Sequence, residues 1–307
     1  MEILKFNPIF KPTLWGSETW AVSAVKGSES VVLNGENKGM TLPQVVERYG
    51  ADMLGKKNTE KFGTDFPLLI KFIDARQDLS IQVHPDDALS SRRHGKMGKN
   101  EMWYVVDADR GSQLIAGFRQ KMEIADYAQK VSDGSIEDDL NKVYVGEGDC
   151  FYIPAGRVHG IGAGMVIAEI QQTSDVTYRI YDYLRRDREG NLRELHTELA
   201  LEAINFQDVT TDPKVQYTEV CDSVVGLVES PFFTTNELKL TKTYVRQYEG
   251  IDSFRVYMCL KGQACFLSPE GQGIFLHAGE SLVVPACMPQ VTIIPDGQAK
   301  LLESYVE

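Results

Sequence analysis

The stretch Gly148-Asp-Cys-Phe-Tyr-Ile-Pro-Ala-Gly-Arg-Val-His159 decides how the rest of the chain is interpreted. Its apolar run from Cys150 to Ile153 has the composition of a short buried strand. Pro154 and Gly156 then interrupt the run, because proline cannot donate to a sheet ladder and glycine tolerates a sharp bend. The pattern therefore predicts a strand that bends sharply and presents His159 just beyond the bend.

Composition limits the classes of protein that need to be considered. The 307 residues are 43% hydrophobic and 25% charged, which is typical of a globular protein long enough for two domains. A net charge of −12 argues against nucleic acid or an anionic membrane surface as the main partner. No apolar run approaches the ~20 residues of a membrane span, and the N-terminus lacks a signal-like apolar run, so we expect a cytoplasmic protein. The five cysteines form no Cys-x-x-Cys pair and are interpreted as reduced side chains without chemistry.

Two further polar signals lie upstream of the opening stretch. Gln82 and His84 are two residues apart in an apolar strand pattern, so they point to the same face. Glu101 begins an aromatic, β-branched strand pattern, where a carboxylate is costly to bury unless it is paired. Residues 88–100, which lie between these signals, are interpreted as a solvated loop, and no binding role is favoured for His94.

Three stretches show helical signals of capping and apolar spacing. They run from Thr41 to Gly50, from Ile124 to Gly134 and from Thr197 to Ile204. A shorter helical piece is expected over residues 136–140. The segment 206–213 reads as a linker, which places a domain boundary near residue 205.

The last hundred residues repeat the opening pattern without its polar groups. Gly279 and Pro285 keep the spacing Gly-x5-Pro, but Cys287 stands in the place of Gly156 and Gln290 in the place of His159. When Tyr257 is aligned with Tyr104, Phe254 occupies the place of Glu101. We therefore predict a metal-binding domain over residues 1–205, with a helical insertion at about 118–142, and a second domain over 206–307 without metal ligands.

Four side chains in the first domain form a candidate ligand set: Gln82, His84, Glu101 and His159. Two imidazoles, a carboxylate and an amide oxygen suit a divalent transition metal, most simply Zn²⁺ at ~2.0–2.2 Å with an open position for water. Two histidines and one carboxylate also bind Fe(II) in oxygenases, so iron remains an alternative at this point.

The same motifs resemble known families. The spacing Gly-x5-Pro-x-Gly-x2-His is similar to the second motif of the cupin β-barrels, in which the histidine is a metal ligand. Four longer stretches resemble type I mannose-6-phosphate isomerases of the short bacterial kind, over residues 12–205 and more faintly beyond. They are Leu79–Asp87, Gly98–Val105, Ile153–His159 and Gln171–Asp182.

This resemblance implies a mainly β fold of two cupin-like jelly-roll barrels, the first with helical insertions. It also implies one zinc ion per chain and a small phosphorylated sugar as substrate, with interconversion of mannose 6-phosphate and fructose 6-phosphate. The family's zinc ligands carry over to Gln82, His84, Glu101 and His159, and its active-site arginine to Arg179. Asn100 departs from the family, because many relatives have threonine or proline there, and we expect this to affect only the detail of the loop.

An isomerase of this kind moves a proton between neighbouring carbons through an enediolate. Arg179 suits the developing negative charge because a guanidinium stays protonated and offers forked donors. Lys99 could act as the base or hold the phosphate, and a carboxylate or zinc-bound hydroxide could equally be the base. An Fe(II) oxygenase and a non-catalytic sugar-binding cupin remain the alternative functions, although ligands confined to the first domain argue against the latter. The sequence gives no indication of the oligomeric state.

Overall fold

The computed structural model describes residues 1–186, 189–210 and 212–307. The chain is mainly β, with 42% of residues in strands and 16% in helices. The strands form three sheets, and none of these sheets closes into a barrel within the described residues. The predicted mainly β class is confirmed, whereas the two jelly-roll barrels stay a prediction. No helix in the described part of the chain is long and apolar enough to cross a membrane.

The chain divides into two compact units, which are described separately. The first unit consists of Met1–Phe10, Thr19–Phe72 and Gln216–Glu307, and the second of Lys11–Glu18 and Ile73–Val215. Neither unit is a single continuous segment of the sequence. The predicted boundary near residue 205 stays a prediction.

The first unit contains a nine-stranded sheet and three short helices. The helices are α1 (Leu42–Tyr49), α2 (Ala51–Leu54) and α3 (Lys56–Phe62). The strands of the sheet are β1 (Leu4–Asn7), β4 (Val31–Val32), β14 (Val224–Glu229), β15 (Thr234–Leu240), β16 (Tyr244–Gln247), β17 (Arg255–Leu267), β18 (Gly273–His277), β19 (Ser281–Val284) and β20 (Gln290–Tyr305). Their order is β14-β15-β20-β17-β19-β1-β4, with β16 also paired to β20 and β18 to β17.

The helix predicted between Thr41 and Gly50 is present as α1. The Thr41 side chain accepts a hydrogen bond from the backbone N–H of Gln44, and the Gln44 side chain accepts one from the N–H of Thr41. This reciprocal pair satisfies two donors that a helix N-terminus leaves without intrahelical partners. The prediction of a helix here is confirmed.

The second unit contains a five-stranded sheet and most of a six-stranded sheet. The five-stranded sheet has the order β13-β6-β11-β8-β9, and the six-stranded sheet the order β10-β7-β12-β5-β3-β2. The strands are β2 (Ile9–Pro12), β3 (Gly16–Val22), β5 (Leu68–Ala75), β6 (Ile81–Val83), β7 (Glu101–Ala108), β8 (Gln113–Phe118), β9 (Leu140–Tyr144), β10 (Cys150–Ile153), β11 (His159–Ile161), β12 (Met165–Gln172) and β13 (Tyr178–Tyr181). The division between the units falls within β2, β3 and β5.

The helices of the second unit are α4 (Asp87–His94), α5 (Ile124–Asp133) and α6 (Thr197–Ala203), with a 3-10 helix at Ser135–Asp139. The helical predictions after Ile124, over residues 136–140 and after Thr197 are thus confirmed. The prediction of a loop over residues 88–100 is wrong for α4. Asp86 caps this helix by accepting from the N–H of Leu89, and Gly95 ends it in the left-handed conformation.

The two faces of the five-stranded sheet carry different side chains. Ile81, Val83 and Ile180 pack into the apolar cluster that also contains Tyr127 of α5 and Ala200 of α6. A second apolar cluster contains residues of the other face together with residues of the six-stranded sheet, among them Leu114, Ile161, Trp103, Val105 and Phe151. Because successive residues of a strand point to opposite faces, Gln82 and Arg179 lie on the face that is turned away from the helices.

The bend predicted after β10 is present. Gly156 has a φ of +87°, a conformation that side chains other than glycine rarely adopt, and an added Cβ would approach the carbonyl oxygen of Ala203 to 3.1 Å. Its N–H donates to the carbonyl oxygen of His84 at 2.9 Å. The bend therefore ties the segment leading into β11 directly to the residue that follows β6.

Candidate metal centre

Three of the four predicted ligands converge in the second unit. The Nε2 atoms of His84 and His159 lie 3.1 Å apart, and the carboxylate of Glu101 approaches them to 3.5 Å and 3.4 Å respectively. All three side chains are buried, and they form the one potential metal-binding group found among the described residues. Two imidazole nitrogens and one carboxylate facing a common point are donors that suit a transition metal.

Each of the three residues stands at the end of a strand. Glu101 begins β7 and pairs with Ile153, the last residue of β10. His159 begins β11 after the bend at Gly156, and His84 directly follows β6. The strand ends fix the backbone of each residue, so the three side chains meet without depending on a long loop.

The second ring nitrogen of each histidine is held by a backbone carbonyl. His84 Nδ1 lies 3.0 Å from the carbonyl oxygen of Val176, and His159 Nδ1 lies 2.8 Å from that of Arg157. A carbonyl oxygen only accepts, so the proton sits on Nδ1 and the lone pair of Nε2 is directed at the common point. Burial lowers the pKa of His159 to about 3, which keeps its imidazole neutral and able to bind a metal.

Lys99 belongs to the same cluster. Its Nζ lies 2.9 Å from His84 Nε2 and 2.8 Å from Glu101 Oε2, and the residue is only 5% exposed. A lysine ammonium group only donates hydrogen bonds, so Lys99 interacts with acceptor atoms of both side chains. The structure thus brings Lys99 into contact with two of the metal-ligand candidates.

Gln82 and Arg179 are placed by strand pairing. In the five-stranded sheet, His159 pairs with Gln82, and Gln82 pairs with Arg179, so the three residues form one row with side chains on the same face. Within the described residues, the Gln82 side chain makes no hydrogen bond, which leaves its amide oxygen available as a ligand.

Arg179 is held by the segment that precedes α6. Its Nη1 donates to the carbonyl oxygen of Glu194 at 2.9 Å, and its backbone N–H donates to His196 Nδ1. Burial lowers the pKa of the guanidinium, and the positive charge of Arg193 contributes in the same direction. No contact joins Arg179 to the His84 and His159 rings in the described part of the chain, so its place in the site rests on the row of paired strands.

A hydrogen-bond network behind the ligands includes Asn100, which the sequence predicted would affect only a loop. Gln172 Oε1 accepts from the backbone N–H and the side-chain Nδ2 of Asn100 at 2.9 and 2.8 Å, and Asn100 Oδ1 accepts from the N–H of Ala155 at 2.9 Å. Gln172 Nε2 donates to Asp87 at 3.0 Å. Asp87, Asn100 and Ala155 are each within a few residues of a ligand candidate, so this network links the three ligand-bearing segments.

Two more polar residues lie on β12, Glu169 and Gln171, and of these Gln171 was not identified from the sequence. Glu169 accepts a hydrogen bond from Trp103 Nε1 at 3.0 Å, and the Trp103 ring lies edge-on to that of His159 with centroids 5.4 Å apart. Gln171 is fully buried on the same strand. The available signal was the alternation of Glu169 and Gln171 in a strand that is otherwise apolar.

The corresponding position in the first unit is occupied by an arginine. In the second unit Glu101 pairs with Ile153, the residue before Pro154, and in the first unit Arg255 pairs with Val284, the residue before Pro285. This register corrects the sequence alignment, which placed Phe254 at the position of Glu101. The error arose because Tyr257 can be aligned with either of two adjacent aromatic residues, Trp103 and Tyr104.

Known proteins are similar to this chain over nearly its whole length. The family model described as phosphomannose isomerase type I, catalytic domain, matches residues 7–118. Mannose-6-phosphate isomerase ManA of Bacillus subtilis (strain 168) is 36% identical over 323 residues, covering 99% of this chain and 99% of that protein. Mannose-6-phosphate isomerase of Streptococcus mutans serotype c is 38% identical over 299 residues, covering 96% and 90%. The crystal structure of the mannose 6-phosphate isomerase from Bacillus subtilis superimposes with a TM-score of 0.88 at 27% identity, covering 100% of both chains.

Proposed function

We propose that this chain, which belongs to the type I phosphomannose isomerase family and is a mannose-6-phosphate isomerase, binds one zinc ion in its second unit. The ion supports proton transfer on the sugar phosphate. His84, Glu101, His159 and Gln82 hold the ion. The substrate is a phosphorylated sugar, converted between mannose 6-phosphate and fructose 6-phosphate.

The hydrogen bonds that orient both histidine rings are the main support for a bound metal. The Nδ1–H of each ring donates a hydrogen bond to a backbone carbonyl, and Nε2 is directed toward the other ring and toward Glu101. A donor set of two imidazoles and a carboxylate, completed by an amide oxygen, fits Zn²⁺. When bound, the ion supplies Lewis acidity that polarises the substrate carbonyl.

The reaction requires a base that takes a proton from C2 of the aldose, and a proton that is then added to C1 of the enediolate to give the ketose. Negative charge develops on the two oxygens of the enediolate between these steps. Arg179 lies in the row of Gln82 and His159, which supports a role for its fixed positive charge in stabilising the enediolate. Lys99 holds a proton beside Glu101 and exchanges it with a substrate oxygen.

We also propose that residues 1–205 contain the catalytic cupin domain, with the helical insertion at about 118–142, and that residues 206–307 contain a second cupin domain without ligands, to which Met1–Phe10 and Thr19–Phe72 contribute strands and helices. The pairing of β6, β11 and β13 in one sheet and of β7 and β10 in another supports a jelly-roll arrangement around the site. The Arg255 side chain at the position of Glu101 supports the absence of a metal from the second domain. A cytoplasmic location remains part of this proposal.

Metal content and isotope exchange test the proposal together. Protein purified without added metal should contain about one zinc ion per chain and little iron, since the described residues provide one set of candidate donors of the types that zinc prefers. Isomerisation in D₂O should place solvent deuterium on C1 of the fructose 6-phosphate. A protein loaded with iron would overturn the choice of zinc, and complete retention of the original hydrogen would overturn the enediolate path.

A further inference from the structure

Gln171 on β12 carries a buried oxygen that no described residue satisfies. Its side chain is fully buried, and its Nε2 donates to the carbonyl oxygens of Gln172 at 2.9 Å and Ser174 at 2.8 Å. These two bonds fix which end of the amide is the nitrogen. The remaining atom, Oε1, is buried without a hydrogen-bond partner within the described residues. Native proteins rarely leave a buried acceptor unpaired without a reason.

The strand pairing places this oxygen on the face of the metal centre. Gln171 pairs directly with Glu101, and Glu169 pairs directly with Trp103. Residues opposite each other in an antiparallel pair share a face, and Glu101 contacts both histidines while Trp103 packs against His159. Gln171 therefore extends toward the side of the sheet on which the substrate must bind.

The neighbouring Gln172 has the opposite arrangement. Successive residues of β12 point to opposite faces, and the Oε1 atom of Gln172 accepts two hydrogen bonds from Asn100. The two adjacent glutamines thus differ in their amide oxygens. That of Gln172 accepts hydrogen bonds from Asn100, whereas that of Gln171 accepts none from the described residues.

We propose that Gln171 Oε1 accepts a hydrogen bond from a hydroxyl group of the bound sugar phosphate and so contributes to the recognition of the sugar. An amide oxygen is an acceptor only, so its partner must be a donor, and the substrate offers hydroxyl groups along its chain. The anchoring of Nε2 holds the oxygen in place before the substrate arrives, which reduces the ordering needed on binding. This inference rests on the proposed function, since it assumes that the sugar phosphate binds at the metal centre.

A thermodynamic cycle between protein and ligand tests the contact. Binding to the holoenzyme is measured for mannose 6-phosphate and for analogues that each lack one hydroxyl: 1,5-anhydromannitol 6-phosphate, 2-deoxyglucose 6-phosphate and the 3-deoxy and 4-deoxy mannose 6-phosphates. Gln171→Met should bind mannose 6-phosphate about 10-fold more weakly than the wild type, the scale of one hydrogen bond. For the analogue that lacks the contacted hydroxyl, wild type and variant should bind equally.

Gln172→Met is the matched control, because it removes an adjacent, buried glutamine whose oxygen is satisfied by Asn100. Gln172→Met should change the affinity for mannose 6-phosphate and for every analogue by the same factor. Gln171→Asn is a second variant, to be used if Gln171→Met folds poorly. It keeps the amide but shortens the side chain by one methylene, and it should show the same selective loss of affinity. A loss that is uniform over all analogues for both Gln171 variants would overturn the contact, whereas failure of the wild type to bind mannose 6-phosphate would overturn the proposed function instead.

Discussion

His84 and His159 are suited to metal binding by the atoms behind them as much as by their positions. Each ring is oriented by a backbone carbonyl at Nδ1, and the two Nε2 atoms lie 3.1 Å apart. A histidine fixed in this way needs no rearrangement to bind a cation, and the carbonyl keeps the proton off the metal-binding nitrogen.

Removing either ring should therefore empty the site. For His84→Ala and His159→Ala we expect bound zinc well below one ion per chain, together with loss of isomerase activity, because the ligand set becomes incomplete. Elemental analysis after dialysis measures the ion. His94→Ala is the control, since His94 is exposed and hydrogen-bonds Tyr178 outside the ligand cluster. Full zinc occupancy in either His84→Ala or His159→Ala would remove that histidine from the ligand set.

Arg179 has a separate prediction. If its charge acts on the enediolate, Arg179→Ala should lower kcat by roughly 10²-fold while zinc content stays unchanged, the scale seen on removing one preorganised donor. Steady-state kinetics on mannose 6-phosphate beside unphosphorylated mannose distinguishes this from an anchor for the phosphate. A phosphate anchor would raise KM for mannose 6-phosphate and leave kcat nearly unchanged.

For individual residues, the sequence was sufficient to identify candidate metal ligands, but it did not predict their hydrogen-bond partners. His84, Glu101 and His159 were identified because a histidine after a proline-glycine bend and a carboxylate at the start of an apolar strand are unusual. Gln171 could not be identified in the same way, because its importance depends on which end of its amide is held by Ser174 and the backbone of Gln172. Such pairings are set by tertiary contacts.

Among the elements, the start of β7 contributes the most residues to the metal centre and its hydrogen-bond network. Lys99, Asn100 and Glu101 are consecutive, with Lys99 and Glu101 in the cluster and Asn100 bonded to Gln172 and to the bend at Ala155. The three residues therefore position one another, and a change at Asn100 alters the placement of the two neighbours that touch the histidines.

Asn100→Ala should weaken zinc binding by about 10-fold or more, as removal of a residue that orients metal ligands commonly does. Stability should also fall, by about 1–3 kcal/mol, because the N–H of Ala155 and the oxygen of Gln172 lose a buried partner. A competition titration with a chelator measures the zinc affinity, and denaturant unfolding measures the stability.

Asn58→Ala provides the comparison for Asn100→Ala. Asn58 is equally buried and its Nδ2 bonds Leu54, Ser253 and Val306 in the first unit. The Asn58→Ala variant should be destabilised to a similar extent as Asn100→Ala, but it should bind zinc with the affinity of the wild type. Equal zinc affinities in the two variants would show that the Asn100 network has no role in positioning the ligands.

Element prediction succeeded where the signal was local. Helix α1 was identified from Thr41 and Gly50, and α5 from its apolar spacing up to Gly134. Helix α4 was missed because only Leu89 and Ser90 are buried in it, so its charged sequence has almost no apolar periodicity. Its formation depends on the Asp86 cap.

At the scale of the whole molecule, the two compact units repeat one arrangement with different polar groups. Trp103 donates to Glu169 in the second unit, and Tyr257 donates to Glu303 in the first, with the same register between the paired strands. Arg246 makes a two-pronged ion pair with Glu303 in the first unit. In the first unit, the buried carboxylate of Glu303 is thus satisfied by side chains of the protein.

A second metal site should therefore be difficult to restore. Gln290→His places an imidazole at the position that matches His159, but Arg255 holds a buried guanidinium at the position of Glu101. Positive charge there opposes a cation, so the zinc content should remain at one ion per chain. A ratio that rises to two ions per chain would contradict this account of the first unit.

The division into units could not be read from the linear sequence. The first unit joins Met1–Phe10 to residues beyond Gln216, with β1 paired to β19. Pairing between the two ends of a chain leaves no local signal, whereas the repeated Gly-x5-Pro pattern allowed the presence of two related halves to be predicted.

The most direct test is to titrate zinc into metal-stripped protein and follow isomerase activity together with bound metal. We expect the stripped protein to be inactive, and its activity to rise in proportion to bound zinc and to level off at one ion per chain. Glu101→Gln should level off at a much lower activity, because a neutral amide replaces the one charged ligand. Full isomerase activity in protein that contains no bound metal would contradict the account.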